Sequence, residues 1–117
     1  MKIIIPRQHR SALAKFRCGV APLNLEIGRY NRIPENERVC SNCINTIENE
    51  MHVLLHCPRY TNIRHILFLE CLKVNVNFTN MSDCDKLIFI LSENSICKYS
   101  AKACHDIIVH RRTFVYS

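Results

Sequence analysis

Glycine and proline are nearly missing from this chain, with two Gly and four Pro in 117 residues. That poverty excludes a collagen-like chain. With hydrophobic residues at 48% and charged residues at 22%, it also excludes a disordered one and leans toward helix. Long hydrophobic runs are missing as well. The longest after the start, Leu87 to Leu91, falls far short of the roughly 20 apolar residues of a membrane-spanning helix. At the start, Pro6-Arg7 cuts off the three isoleucines behind Met1-Lys2 well before a signal-peptide core is reached. The expectation is a soluble protein of a reducing intracellular compartment, nuclear or cytoplasmic, with no membrane partner. In that setting Asn77-Phe78-Thr79 and Asn80-Met81-Ser82 are chance glycosylation sequons. No dense run of Lys and Arg marks a nuclear localisation signal, and neither a repeat nor a low-complexity tract is present.

Cysteine, by contrast, is abundant. Eight in a chain of this size would suit a disulfide framework in a secreted protein, but an intracellular setting turns the reading toward metal. Cys40, Cys43, His52 and Cys57 fall within eighteen residues, spaced C-x2-C-x8-H-x4-C. A tight C-x2-C pair offers two thiolates from one turn, and a His and a Cys arriving a short loop later complete a tetrahedron. Such a set is closed: protein fills every position and leaves none for water or substrate, which favours one structural zinc ion over a catalytic one. Two plainer readings compete, buried free thiols with a surface His, and a redox pair at Cys40 and Cys43 without the βαβ surroundings such motifs have. His56 lies four residues from His52 and would share its helical face, so it stands as an alternative to Cys57 for the fourth position. Cys18, Cys71, Cys84, Cys97 and Cys104 are scattered and read as small core residues.

The net charge of +6 is unevenly placed. Up to Val39 there are eight Lys and Arg against three Glu, whereas Cys40 to Cys57 holds two Glu and no Lys or Arg. A basic segment ahead of a metal loop suggests a polyanion partner, although a solvated surface also carries a modest positive excess. Gln8 to Arg17 reads as a helix: Leu13, Phe16 and Val20 share a face with Ala12 beside it, and Arg7, Arg10 and Arg17 gather on an adjoining arc. Cys18-Gly19 offers its stop. Leu23, Leu25 and Ile27 alternate as in a short extended segment, with helix as the rival reading.

After the polar connection Pro34 to Arg38, the segment Thr46 to Glu50 would return as the second arm of a small zinc hairpin. His52 opens a short helix that ends at Cys57, because Pro58 disfavours helical geometry before it. Arg59 to Leu72 reads as a long helix burying Tyr60, Ile63, Ile66, Leu67 and Leu69. Asn75 to Asn80 is a linker, and Ser82 with Asp85 caps a helix through Leu91. A last helix runs from about Ile96 to Phe114, with Ile96, Ala103, Ile107 and Phe114 on its stripe. The sum is one domain over residues 1–117, mostly α with about four or five helices and a zinc-bound β-hairpin or knuckle, a small α+β domain. Within it lie a basic N-terminal helix at 7–18, the knuckle at 39–58 and a C-terminal helical part at 59–115.

Cys40, Cys43, His52 and Cys57, the run His52 to Tyr60 (HVLLHCPRY) and the basic run Arg10 to Arg17 (RSALAKFR) together resemble the zinc-binding region that follows the polymerase in reverse transcriptases of non-LTR retrotransposons. The resemblance covers roughly residues 7 to 72. It implies a Cys3His zinc knuckle that helps hold template RNA or target DNA and performs no chemistry itself. Polymerases need carboxylates on a shared metal site, yet the only aspartates are Asp83, Asp85 and Asp106 and the aromatic-x-Asp-Asp signature is absent. A detached or relic C-terminal piece, not an enzyme, is therefore expected. Its nucleic-acid contacts would be phosphate contacts of low sequence specificity by Arg7, Arg10, Lys15 and Arg17, joined by Arg29 and Arg32 if the fold brings them near. The rival expectation is a zinc-stabilised module that binds a protein partner, or a relic without retained activity.

Overall fold

The computed structural model describes residues 4–115 except 41 and 44, and of 114 and 115 only the backbone. Behind Pro6, helix α1 (Arg7–Arg17) buries Ala12, Leu13 and Phe16. It stops where glycine permits: Gly19 takes φ 69°, and the Val20 N–H reaches back to the Lys15 carbonyl at 3.0 Å. Val20, expected on the buried stripe, lies past this stop and is exposed.

The alternation at Leu23, Leu25 and Ile27 is not extended structure; the chain here is helix α2 (Asn24–Tyr30). A distant residue decides it. The Glu48 carboxylate accepts the Asn24 N–H at 2.6 Å and the Glu48 carbonyl accepts the Leu25 N–H at 3.0 Å, satisfying donors that a helix start leaves open. A second left-handed stop ends α2, with Arg32 at φ 58° and the Ile33 N–H on the Gly28 carbonyl at 2.8 Å. Gly28 gives the Arg38 stem room against the helix, since a Cβ there would lie 2.4 Å from the Arg38 Cγ.

The expected β-hairpin reduces to one antiparallel bridge, Val39 to Ile47. Cys40 donates its N–H to the Thr46 carbonyl at 2.7 Å and Glu48 donates to the Arg38 carbonyl at 3.0 Å. Arms this short close a loop and do not build a ladder. No β-strand occurs among the described residues, so the α+β expectation is corrected to a mostly helical domain.

Three further helices follow, α3 (Thr61–Val74), α4 (Asp83–Ser92) and α5 (Cys97–Val115). α4 begins as its sequence signals: the Ser82 hydroxyl accepts the Asp85 N–H at 3.2 Å, and Asp83 and Asp85 occupy the first turn. α5 is the central element, packed against α1, α3 and α4 and burying Ala101, Ala103, Cys104, Ile107 and Ile108. Ile96, just ahead of α5, is buried on the expected stripe, while the Phe114 side chain lies outside the described residues. On α3 the buried line is Leu67 and Cys71, at i, i+4 spacing with Ile63 partly covered. Ile66 and Leu69, expected inside, fall off that line and are 58% and 46% exposed. Within the expected linker 75–80, Phe78 is fully buried between Phe68 and Phe89, with ring centroids 5.1 and 5.6 Å away.

Candidate metal centre

The loop between α2 and α3 brings Cys40, Cys43, His52 and Cys57 together. One ligand-type atom from each lies within 4.8 Å of the others. The bridge at Val39 and Ile47 holds Cys40 in place, and the Asn42 N–H points at the Cys40 Sγ at 3.4 Å. Asn45, at φ 53°, turns the chain back. Asn49 then starts the next turn, its side-chain oxygen accepting the His52 N–H at 2.8 Å.

His52–His56 is a single π-helical turn closed by the Cys57 N–H on the His52 carbonyl at 2.8 Å. In an α-helix of 3.6 residues per turn, side chains five apart diverge by about 140°. The wider turn, followed by the extended backbone that Pro58 imposes on Cys57 (ψ 121°), lets His52 and Cys57 meet. Such a turn opens carbonyls, and Arg64 from α3 fills them: its guanidinium donates to the carbonyls of Val53 (3.1 Å), Leu54 (3.0 Å) and Cys57 (2.7 Å).

Two observations bear on whether a metal fits. The Cys40 and Cys57 sulfurs are buried and 3.8 Å apart, and tetrahedral zinc with Zn–S bonds of about 2.3 Å would set sulfurs about 3.8 Å apart. The His52 Nε2 is buried and has no hydrogen-bond partner, an arrangement that ordinarily costs about 1–3 kcal/mol unless something binds it. Burial holds the His52 pKa below its usual value, against the opposing pull of Glu48, which favours the neutral imidazole that ligates metals. Burial also pushes the Cys57 thiol up to about 12, with Cys40 and Cys43 adding to the rise. A cation among these sulfurs would reverse that penalty. The cluster is thus able to hold one metal ion, and its donor set suits zinc.

His56 does not compete. Its Nε2 pairs with Asp83 Oδ2 on α4 at 2.7 Å, with both side chains about half exposed, and it takes no part in the cluster. Of the other cysteines, Cys71 and Cys104 are buried and Cys97 partly so, but Cys18 and Cys84 are exposed and correct the expectation that all five are core.

Behind the loop stands a buried polar lock that sequence reasoning missed. Arg111 of α5 donates to Glu48 Oε1 from Nε (3.0 Å) and Nη2 (2.8 Å), and from Nη2 to Asn24 Oδ1 (2.7 Å). Asn24 Nδ2 donates in turn to the Val39 carbonyl at 2.6 Å. Glu48 and Arg111 are 1% and 4% exposed. Asn24, Glu48 and Arg111 lie 24 to 87 positions apart, so only the net charge of the loop hinted that its Glu would need a distant cation.

The basic residues of the N-terminal half do not form one stripe. Arg7 and Lys15 line a groove between α1 and α5 together with His105 and Arg112. Arg17 instead turns to α4, where its Nε donates to the Leu91 carbonyl at 2.6 Å. Arg10 is exposed and is not among the groove residues. Arg29 is ion-paired with Glu26 at 2.7 Å, and Arg32 forms the left-handed stop of α2. No described helix is long and apolar enough to cross a membrane. No protein-family model, curated protein or solved structure matches the chain.

Proposed function

We propose that this chain is a non-catalytic, zinc-stabilised module that holds RNA or DNA through phosphate contacts, of the kind found behind the polymerase of non-LTR retrotransposon reverse transcriptases. The observation that carries it is the convergence of Cys40, Cys43, His52 and Cys57, with a sulfur spacing of 3.8 Å and an unpartnered, buried His52 nitrogen. Three thiolates and an imidazole fill a tetrahedron and leave no open position for water, so the ion would serve structure. The net charge of +6 and the basic groove on α1 and α5 supply the electrostatic footprint of a polyanion binder. The contacts proposed are charge contacts to phosphate, so affinity would fall with salt and vary little with sequence.

A zinc-stabilised protein-interaction module is the second reading, favoured by Leu87, Ile88 and Leu91 of α4. They line an open apolar cleft beside Arg17, with Ile88 62% exposed. Elemental mass spectrometry on protein purified without chelators should find about one zinc per chain, lost in Cys43→Ser. Folded, reduced protein without metal would end the zinc reading. Salt-independent or absent nucleic-acid binding by the zinc-loaded chain would end the nucleic-acid reading and leave the α4 cleft as the functional surface.

A further inference from the structure

Three cations of the α1/α5 face share one groove. Many of the other basic side chains are engaged within the fold, Arg29 on Glu26, Lys73 on Glu70, Lys102 on Asp106 and Arg111 on Glu48, while Arg17, Arg38 and Arg64 cap carbonyls; Arg10 and Arg32 are exposed but stand outside the groove. Arg7, Lys15 and Arg112 make neither an ion pair nor a hydrogen bond among the described residues, and all three are exposed. They line one groove of about 640 Å³, and no carboxylate lines it with them. Gln8 and Ser11 add polar atoms to its wall.

The two helices run antiparallel. Arg17 meets Cys97 at one end, and the His9 and His105 rings lie 4.6 Å apart further along. Arg7 and Lys15 are eight residues apart, a rise of about 12 Å along α1. Nucleic-acid strands carry a charge about every 3.4 Å of helix axis, and more widely when the strand is extended. A trough of this length between two helices suits a few successive phosphates of one strand.

We infer that the groove between α1 and α5 is a single-strand backbone site in which Arg7, Lys15 and Arg112 each take a phosphate. The inference rests on the nucleic-acid reading above and narrows it in two ways. It moves the contact surface from the N-terminal basic segment to a groove half built by the last helix, and it selects single strands over duplexes. Arg10, Arg29 and Arg32 lie outside the groove and are not required. Three phosphate contacts on a single strand predict a slope of log affinity against log salt near −2, at roughly −0.7 per contact.

The test uses the full, zinc-loaded chain and fluorescence anisotropy with labelled oligo(U), oligo(dT) and a duplex of equal length, over a salt series. Lys15→Glu/Arg112→Glu is compared with Arg10→Glu/Arg32→Glu, which makes the same charge change outside the groove. Zinc content and circular dichroism confirm that each variant is folded. The groove variant should lose roughly tenfold or more at low salt and flatten the salt slope by about 1.4, while the outer variant stays within about threefold of wild type. Equal losses in both variants, a loss only in the outer one, or tighter binding of the duplex would overturn the groove assignment while leaving the nucleic-acid reading intact. No binding of any probe by wild type would remove that reading and the groove assignment together.

Discussion

Arg111→Met removes one end of the buried lock while keeping an apolar stem in its place. In the native chain Arg111 directs two hydrogen bonds to Glu48 Oε1 and one to Asn24 Oδ1, and neither member of the ion pair exceeds 4% exposure. After the substitution the Glu48 carboxylate keeps only the Asn24 N–H at 2.6 Å. Removing one partner of a buried pair costs about 3–5 kcal/mol, because it strands the other charge in a dry site. The surviving charge-assisted hydrogen bond offsets part of that and places the expectation at the low end, about 3 kcal/mol.

Urea unfolding followed by circular dichroism at a fixed excess of zinc reads this directly, since bound metal itself shifts stability and has to be held constant. With an m value of about 1–3 kcal/mol/M, a 3 kcal/mol loss moves the midpoint down by at least about 1 M. Glu48→Gln and the double variant complete a cycle, in which the double variant should cost about 1–3 kcal/mol less than the sum of the singles. Zinc affinity should fall in parallel, because Glu48 sits between Cys43 and His52 on the ligand loop. A midpoint shift below about 0.3 M, or additive singles, would refute the claim that α5 anchors the loop through a buried charge pair.

Chelation should unfold residues 39–58 locally and leave α1 and α5 intact; amide exchange that stays slow across the loop would contradict this. Zinc affinity should fall as pH is lowered, since the Cys57 thiol, pushed up to about 12 by burial, must release its proton to bind and competes with more protons in acid. A chromophoric chelator competition that gives the same affinity at about pH 6 and pH 8 would argue against thiolate ligands. His56→Ala should retain one metal per chain and Cys57→Ala should not, because His56 faces Asp83; the opposite metal contents would exchange the two roles. Gly28→Ala should destabilise by about 1–3 kcal/mol through overpacking, because its Cβ would meet the middle of the Arg38 stem; unchanged thermal stability would show that the stem moves aside freely.

What was legible in the sequence is what is decided within a turn or two of chain. Gly19 stops α1, Ser82 starts α4, Pro58 ends the turn at Cys57, and the metal spacing brings its four residues together. What was illegible depends on partners far along the chain. The alternation of Leu23, Leu25 and Ile27 favours an extended segment until Glu48 supplies acceptors for the start of a helix. A second arm at Thr46 to Glu50 looks like a strand until its carboxylate and carbonyl are spent on that helix and one bridge remains. The arginines present the same difficulty on the surface. Sequence periodicity places Arg7, Arg10 and Arg17 on one arc, but α1 lies between two neighbours, with Arg17 turned to α4 and Arg7 to α5.

The metal loop and the helical body therefore depend on each other at two points. At the front, Arg111 of α5 grips Glu48, and through Asn24 reaches the Val39 carbonyl beside Cys40. At the back, Arg64 of α3 grips the carbonyls of Val53, Leu54 and Cys57 around the π-helical turn. A loop anchored at both ends loses less entropy on closing than a free one, so the helices would prepare the site for an ion. A bound ion would in turn supply what one bridge cannot. Structural zinc contributes about 10–16 kcal/mol of apparent binding free energy in zinc-finger peptides, against about 0.5–1.5 kcal/mol for a typical hydrogen bond. Removing metal should then free the turn around Cys43 and Asn45 first, and the residues gripped by Arg111 and Arg64 last. Losing either arginine should weaken metal binding without removing a ligand side chain.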